Sequence, residues 1–392
     1  MTVTSGGAQA APLRIGVVGL GWMGQVHSRA YLRLRQHYPD APRRPVLVAV
    51  ADNAADGRVA AAAEAFGFSD LHSDWRELVE RDDLDVVSVT GPNFLHRDVG
   101  VAAAASGKHL WIEKPAGRNA AETREIRDAV QGAGVQSAAG FNYRNAPAVE
   151  VARSLVAEGR LGRICSVHIR LLADYAAHPD GALTWRFQNA WAGSGVLGDL
   201  VSHGVDLARY VVGEIAAVVA DTATFIPERP EVTGAASHFS RGTGGPLGRV
   251  ENEDYVGALL RFSDGARGTL ESSRTAVGEQ CTYGIEVRGS SGALAWDFRR
   301  MGELRLCLDQ DPQDASYVTR YLAPGAGELG HFQPGSGIAM GYDDLKVIEA
   351  ERLVRSIALG QPVGATIEDA LAAAELVEAM VASAASGTWV SR

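Results

Sequence analysis

Cysteine is scarce in this chain: only Cys165, Cys281 and Cys307 occur, far apart and never as a C-x-x-C pair. An odd, scattered set supports neither a disulfide framework nor a zinc site and reads as reduced thiols. No apolar run approaches the length of a transmembrane helix. No basic run interrupts a net charge of −10, which argues against nucleic acid or an anionic membrane surface as the main partner. The first twelve residues carry neither a charged n-region nor an apolar core, so they read as a disordered tail rather than a signal peptide. The expected location is the cytoplasm. Repeats and low-complexity segments are also missing, apart from alanine-rich helices.

What remains is ordinary globular composition over 392 residues, enough for two domains with separate cores. From Leu13 short apolar runs alternate with amphipathic stretches. Leu13–Val18, Val46–Ala51, Val86–Thr90 and His109–Ile112 read as buried parallel strands. Gly21–Arg35, Ala54–Phe66 and His96–Ser106 read as helices, and Asp74 with Glu77 marks the start of a short one. This rhythm predicts a doubly wound parallel sheet, a Rossmann domain, over residues 13–140. The pattern changes near Phe141. A helix over Pro147–Glu158 precedes an alternating strand over Arg163–Leu172. Hairpin-like turns then join Val256–Phe262 to Gly268–Ser273 and lead into Ala293–Phe298. Residues 141–392 therefore read as a second α/β domain on a mainly antiparallel sheet, the place for substrate binding and oligomerisation. Pro227–Asn252 and Asp309–Met340 read as long loops, and helices near Asp343–Leu359 and Ile367–Ala384 close the chain. His178, His238 and His331 fall in loops and read as solvated.

Three stretches carry chemistry. Gly19-Leu20-Gly21-Trp22-Met23-Gly24 follows a strand and opens a helix. That context turns a weak glycine pattern into a dinucleotide cradle, in which pyrophosphate approaches bare backbone at a helix N-terminus. Asp52 ends the second strand, where a carboxylate accepts both ribose hydroxyls of NAD and repels the 2′-phosphate of NADP. The same residue could instead cap the next helix, whose Arg58 would soften the preference. Trp111-Ile112-Glu113-Lys114-Pro115 places Lys114 at a strand end, the side on which open α/β sheets bind ligands. In Gly193–His203 a glycine-rich loop enters a helix, and Asp199 and His203, four apart, share one face. Such a pair can bind a hydroxyl and take its proton, or form a surface ion pair. It also resembles a metal-ligand pair, but no third ligand accompanies it, so no metal is expected.

In this order the three stretches give the chain a resemblance to the Gfo/Idh/MocA oxidoreductases, covering essentially everything after Leu13. A closer resemblance, to the levoglucosan-dehydrogenase-like branch, rests on Trp185-Arg186-Phe187-Gln188, Ala192–Asp199, Ala208–Glu214, Ile226–Pro230 and Gly341-Tyr342 before Lys346. The resemblance implies NAD as cofactor, a sugar as substrate, and a homo-oligomer, tetramer or dimer. It assigns catalysis to Lys114, Asp199 and His203. It gives the cofactor Gly19, Gly21, Trp22, Met23, Gly24, Asp52, Asn93, His96, Glu113 and Lys114. It gives the substrate Tyr143, Arg144, Asp174, Trp185, Arg186, Asp199, His203 and Tyr342. Ala173 departs from the branch, which has a glutamine before the aspartate. The implied reaction removes hydride from a ring secondary alcohol, at C3, of a neutral sugar, anhydrosugar or glycoside. Either His203 or Lys114 serves as principal base. Trp185 reads equally as pocket wall or core. The alternatives are an inositol or polyol dehydrogenase and a glycoside hydrolase that uses NAD for transient oxidation.

Asp52 makes the cofactor preference testable. The ratio of kcat/KM with NAD to that with NADP is expected to exceed one and to narrow in Asp52→Ser; faster turnover with NADP would contradict the assignment.

Overall fold

The computed structural model describes residues 11–53, 57–232, 240–242, 245–308, 311 and 313–392. Most of the expected N-terminal tail, the expected helix start at Ala54 and His238 lie outside them.

The first unit alternates strand and helix: β1 (Leu13–Val18), α1 (Trp22–His37), β2 (Pro45–Ala51), α2 (Gly57–Phe66), β3 (Asp70–His72), α3 (Trp75–Val79), β4 (Val86–Val89), α4 (Asn93–Ala105), β5 (His109–Ile112), α5 (Ala120–Ala133) and β6 (Ser137–Ala139). Every pairing is parallel, in the order β3-β2-β1-β4-β5-β6. This is the doubly wound arrangement, whose strand order reverses between β1 and β4 and opens a crevice there. The runs are apolar throughout because helices cover both faces; β4 is buried at all four positions. Polar caps set the helix starts. Asp74 accepts the Arg76 N–H at 2.9 Å ahead of α3, and Asn119 accepts the Glu122 N–H at 2.8 Å ahead of α5. Glu77 does not complete a box with Asp74; its carboxylate meets His72 instead.

The second unit contains α6 (Pro147–Ala157), β7 (Ile164–Leu172), α7 (Asn189–Ala192), a π-helical turn (Leu197–Val201), α8 (Ser202–Val211), β8 (Ile215–Ala223), β9 (Glu228–Pro230), β10 (Leu247–Arg249), β11 (Tyr255–Phe262), β12 (Arg267–Ser273), β13 (Thr282–Gly289), β14 (Gly292–Asp297), β15 (Glu303–Leu308), β16 (Val318–Tyr321), α9 (Tyr342–Leu359), α10 (Ile367–Ser386) and β17 (Val390–Ser391). Nine strands form one sheet in the order β16-β15-β14-β13-β7-β12-β11-β8-β17, with β7–β12 its parallel pairing. Alternating burial along β11 and β12 shows one face packed and one open. On the packed face α8 lies tight against the sheet. A Cβ on Gly204 would come within 2.4 Å of Leu171 Cδ1, so only glycine lets this helix approach.

Both expected long loops carry structure. Pro227–Asn252 contains the β9–β10 ribbon, and Asp309–Met340 contains β16 and a short 3₁₀ turn at Leu329–His331. Sequence pattern missed α5, β6, β8, β13 and β15. Helix α5 does carry a helical stripe, with Ala120, Thr123, Ile126 and Val130 buried three to four residues apart, whereas β8 alternates only in part and its alanines disguise a strand.

The two units share one interior. A single apolar cluster runs from Val18 and Ile112 in the first sheet to Leu171 and Leu270 in the second. Helix α9 crosses back onto α1, where Val347, Ala350, Leu353 and Val354 join the core around Ile15 and Tyr31. By packing, α9 belongs to the first sheet although it stands beyond residue 140. Among the described residues no helix is long and apolar enough to cross a membrane.

Candidate active site

The glycine loop has the shape that a dinucleotide needs. Gly19 has φ +88°, a left-handed conformation that side chains disfavour, and a Cβ there would meet Gly91 backbone at 2.8 Å. The loops after β1 and β4 thus touch at the switch point. A Cβ on Gly24 would strike the Gly19 carbonyl at 2.0 Å, whereas one on Gly21 would project into open space. Gly21 also heads α1 with no side-chain cap, so the first N–H groups of the helix remain to be satisfied. Bare backbone, open space and a helix N-terminus fit a pyrophosphate. Asp52 leans over this loop, accepting the Leu20 N–H at 2.7 Å. Trp22 is 63% exposed and stacks on Tyr342, ring centroids 5.4 Å apart, while the Tyr342 hydroxyl lies 3.7 Å from Met23 Sδ. Helix α9 therefore supplies one wall of the crevice.

Asn93 begins α4 and donates to the Ala192 carbonyl at 3.0 Å, linking the cofactor side to the second unit. His96 is buried, with its two ring nitrogens each 2.8 Å from the carbonyls of Gly91 and Pro115. Its ring braces two loops rather than offering a nitrogen to a ligand. The Glu113 side chain is likewise turned inward, onto His27 and Lys346.

Lys114 leaves the end of β5 and crosses to the second unit. Its ammonium donates to the Asp199 carbonyl at 2.6 Å and to Oδ1 of the same residue at 3.0 Å. Tyr175 donates its hydroxyl to the other carboxylate oxygen, Oδ2, at 2.6 Å. Burial works against the Asp199 charge, but Lys114, Arg186 and Tyr175 together hold its carboxyl well below the usual range. Asp199 sits in the π-helical turn, a form that recurs at functional sites. Glu253 fixes that turn by accepting the N–H groups of Gly195 and Leu197 at 2.8 and 2.9 Å. Gly195 is required there because a Cβ would meet the Glu253 carbonyl at 2.1 Å.

His203 follows in the first turn of α8. The ring is buried against Tyr143 (centroids 4.6 Å apart) and Phe141 (5.9 Å), and its Nδ1 has no partner among the described residues. Burial, reinforced by the Lys114 ammonium, pushes its pKa well below the ordinary value, so the imidazole is neutral near pH 7. A neutral imidazole is a proton acceptor. Beside an ammonium and a carboxylate it can take the proton of an alcohol while the ammonium polarises the same oxygen.

The substrate candidates divide. Trp185 and Arg186 share a small cleft with Asn93, Tyr175 and Asp199, with the Arg186 guanidinium stacked 4.4 Å over the Trp185 ring. Trp185 is half-buried in that wall and meets Phe94 edge-on. Tyr143 packs on His203, and Tyr342 lies across Phe298 at 6.5 Å. Asp174 is half-buried at the strand end directly before Tyr175. Arg144 is a correction: it does not reach this cleft. Its guanidinium is bidentate on Asp206, bonded to Asp369 at 3.3 Å and stacked on Tyr210. With its donors taken by carboxylates, it ties α8 to α10. His178 and His331 are exposed, as their loop positions suggested.

Tyr175 was missed in the sequence, although its partner Asp199 was not. Its signal is a hydroxyl-bearing aromatic just beyond the end of β7, and nothing local distinguishes that from a core tyrosine.

Comparison with known proteins places the chain in a family. The model of an oxidoreductase family with an NAD-binding Rossmann fold matches residues 13–141, and that of the GFO/IDH/MocA C-terminal domain matches residues 149–295. The chain is 38% identical over 382 residues to levoglucosan dehydrogenase of Pseudarthrobacter phenanthrenivorans, covering 96% of this chain and 97% of that one. It is 26% identical to myo-inositol 2-dehydrogenase of Thermotoga maritima, over 91% and 92% of the two chains. A solved levoglucosan dehydrogenase in complex with NADH and levoglucosan superposes with a TM-score of 0.89 at 36% identity, covering 97% of this chain and 99% of that one.

If Lys114 and His203 supply electrostatic and acid–base assistance, Lys114→Met and His203→Ala each lower kcat by about 100-fold or more. NADH affinity of the His203 variant, read by fluorescence titration, stays near the native value. Near-native turnover in either variant removes that residue from the chemistry.

Proposed function

Because this chain belongs to the GFO/IDH/MocA oxidoreductase family, whose N-terminal model is an NAD-binding Rossmann fold, we propose that it oxidises a ring secondary hydroxyl of a neutral sugar, at C3. The observation that carries the reading is the contact of Lys114 with Asp199 beside the neutral imidazole of His203, across the crevice from the glycine cradle. Gly19–Gly24 and Asp52 would hold NAD, which when bound would accept the hydride that leaves the carbinol carbon. The chain does the rest. His203 takes the hydroxyl proton as the C–H bond opens, and Lys114 stabilises the developing alkoxide. Asp199 keeps Lys114 in place and favours the imidazolium that forms.

The substrate class follows from the walls. Trp185 offers an apolar face to a ring, while the Asp199 carboxylate in the same cleft disfavours a dianion. Relatives named for levoglucosan share more than a third of their residues with this chain, which supports a pyranose-type ring or its anhydro form. An inositol is the second reading, favoured by the full-length match to myo-inositol 2-dehydrogenase. The open face of the nine-stranded sheet, around Leu259, Arg170 and Glu286, is proposed as a contact between copies of the chain in a dimer or tetramer, working in the cytoplasm.

A steady-state panel of glucose, levoglucosan, a methyl glucoside, myo-inositol and glucose 6-phosphate tests the assignment. NADH is expected to accumulate with a neutral pyranose ring, and NMR of the product to show the new carbonyl at C3. Preference for the phosphate, or turnover of acyclic substrates alone, would overturn it.

A further inference from the structure

The chain holds only three lysines, Lys108, Lys114 and Lys346, among 37 Lys and Arg residues. Arginine serves nearly everywhere a cation is needed, so a retained lysine marks a place suited to a compact ammonium. Lys114 is one such place. Lys346, on α9, is another, and the mechanism above does not use it.

Lys346 is fully buried. Its ammonium donates to Glu113 Oε1 and, at 2.9 Å, to Glu349 Oε1. His27 Nε2 lies 3.0 Å from the same Glu113 oxygen, and the Trp111 indole N–H donates to Glu349 at 2.6 Å. Asn145 reaches the second Glu349 oxygen at 3.3 Å. Ligand atoms of His27, Glu113 and Glu349 all lie within 4.8 Å of one another, a cluster sized for a cation. The ammonium fills that role with hydrogen bonds instead of coordination. The ammonium also lies 5.6 Å from the centroid of the Trp111 ring.

Glu113 immediately precedes Lys114. Its carboxylate is pressed onto Gly140, where a Cβ would come within 2.6 Å, and its N–H is bonded to the Val89 carbonyl at 2.9 Å. Burial opposes its charge, but Lys346 and His27 keep the group ionised. The peptide that carries Lys114 is therefore anchored on its inner side by α1, β4, β6 and α9, and on its outer side by Asp199. Four residues before Lys346, on the same face of α9, Tyr342 lines the cofactor crevice.

We propose that Lys346 is a positioning residue for Lys114: its buried ammonium, clasped between Glu113 and Glu349 in place of a metal ion, fixes the Glu113 carboxylate and so holds the Lys114 ammonium on Asp199. The inference builds on the dehydrogenase reading above, but its physical core is independent of the substrate.

With three lysines, reductive methylation with ¹³C-formaldehyde gives an NMR spectrum simple enough to follow one residue, Lys114 being assigned by its loss in Lys114→Met. In the native protein the Lys114 side chain is only 15% exposed and hydrogen-bonded, so it modifies slowly. In Lys346→Met it is expected to modify several-fold faster, while NADH affinity holds and kcat falls by about tenfold. Adding Lys346→Met to Lys114→Met is expected to cost nothing further in kcat, because both changes remove one function. Should Lys346→Met fail to fold, Glu113→Gln carries the same expectation for labelling. Native-rate labelling of Lys114 in a folded variant overturns the proposal, as does a double variant that loses a further factor equal to the single one. Faster labelling in a protein that oxidises no sugar on the panel would sink the substrate assignment and leave the positioning role standing.

Discussion

The contact between the Lys114 ammonium and Asp199 is the constraint on which the rest of the site depends. It runs from the end of a Rossmann strand to a π-helical turn in the other unit, and it engages both the carboxylate and the carbonyl of Asp199. An ammonium and a carboxylate removed from bulk water are costly unless paired and hydrogen-bonded. Here each is satisfied by the other, with Tyr175 completing the carboxylate. The contact thereby links the two units beside the glycine cradle. Behind it lies the apolar core that the two units share.

Burial sets the charge state of His203, and the Lys114 ammonium reinforces it. A buried imidazole next to an ammonium stays neutral, so His203 is a ready acceptor without a separate partner to activate it. Behind Lys114 a second layer repeats the device. His27 is pushed down to about 4 by burial and remains neutral, and burial drives Glu349 up to about 7 against the pull of Lys346. Among the described residues of this layer, the charged Glu113 and Lys346 are bonded to each other.

The legible part of this arrangement was the part dictated by backbone. The glycine loop, Asp52, the strand-end Lys114 and the Asp199/His203 spacing all report a turn, a strand end or a helical face, and each is visible locally. The parallel order of the first sheet followed from alternating strands and helices with both faces covered. What the sequence concealed is tertiary. Tyr175, His27 and Lys346 acquire their roles from partners 24 to 233 residues away. Arg144 misled because it stands beside Tyr143, which does face His203; alternate neighbours in a 3₁₀ turn point to different places, and two carboxylates claimed the guanidinium. The long-loop reading failed because glycine and proline flank short ribbon strands as readily as they fill loops.

Histidine-selective NMR titration addresses the central claim, that burial and the Lys114 ammonium together keep His203 neutral. His203 is expected to remain neutral down to a pH well below 6.5, the ordinary histidine value, with assignment by His203→Ala. In Lys114→Met the same resonance is expected to titrate at higher pH, because the ammonium that opposes a second positive charge has gone. A His203 that titrates at or above 6.5 in the native protein, or one indifferent to Lys114→Met, would contradict the account.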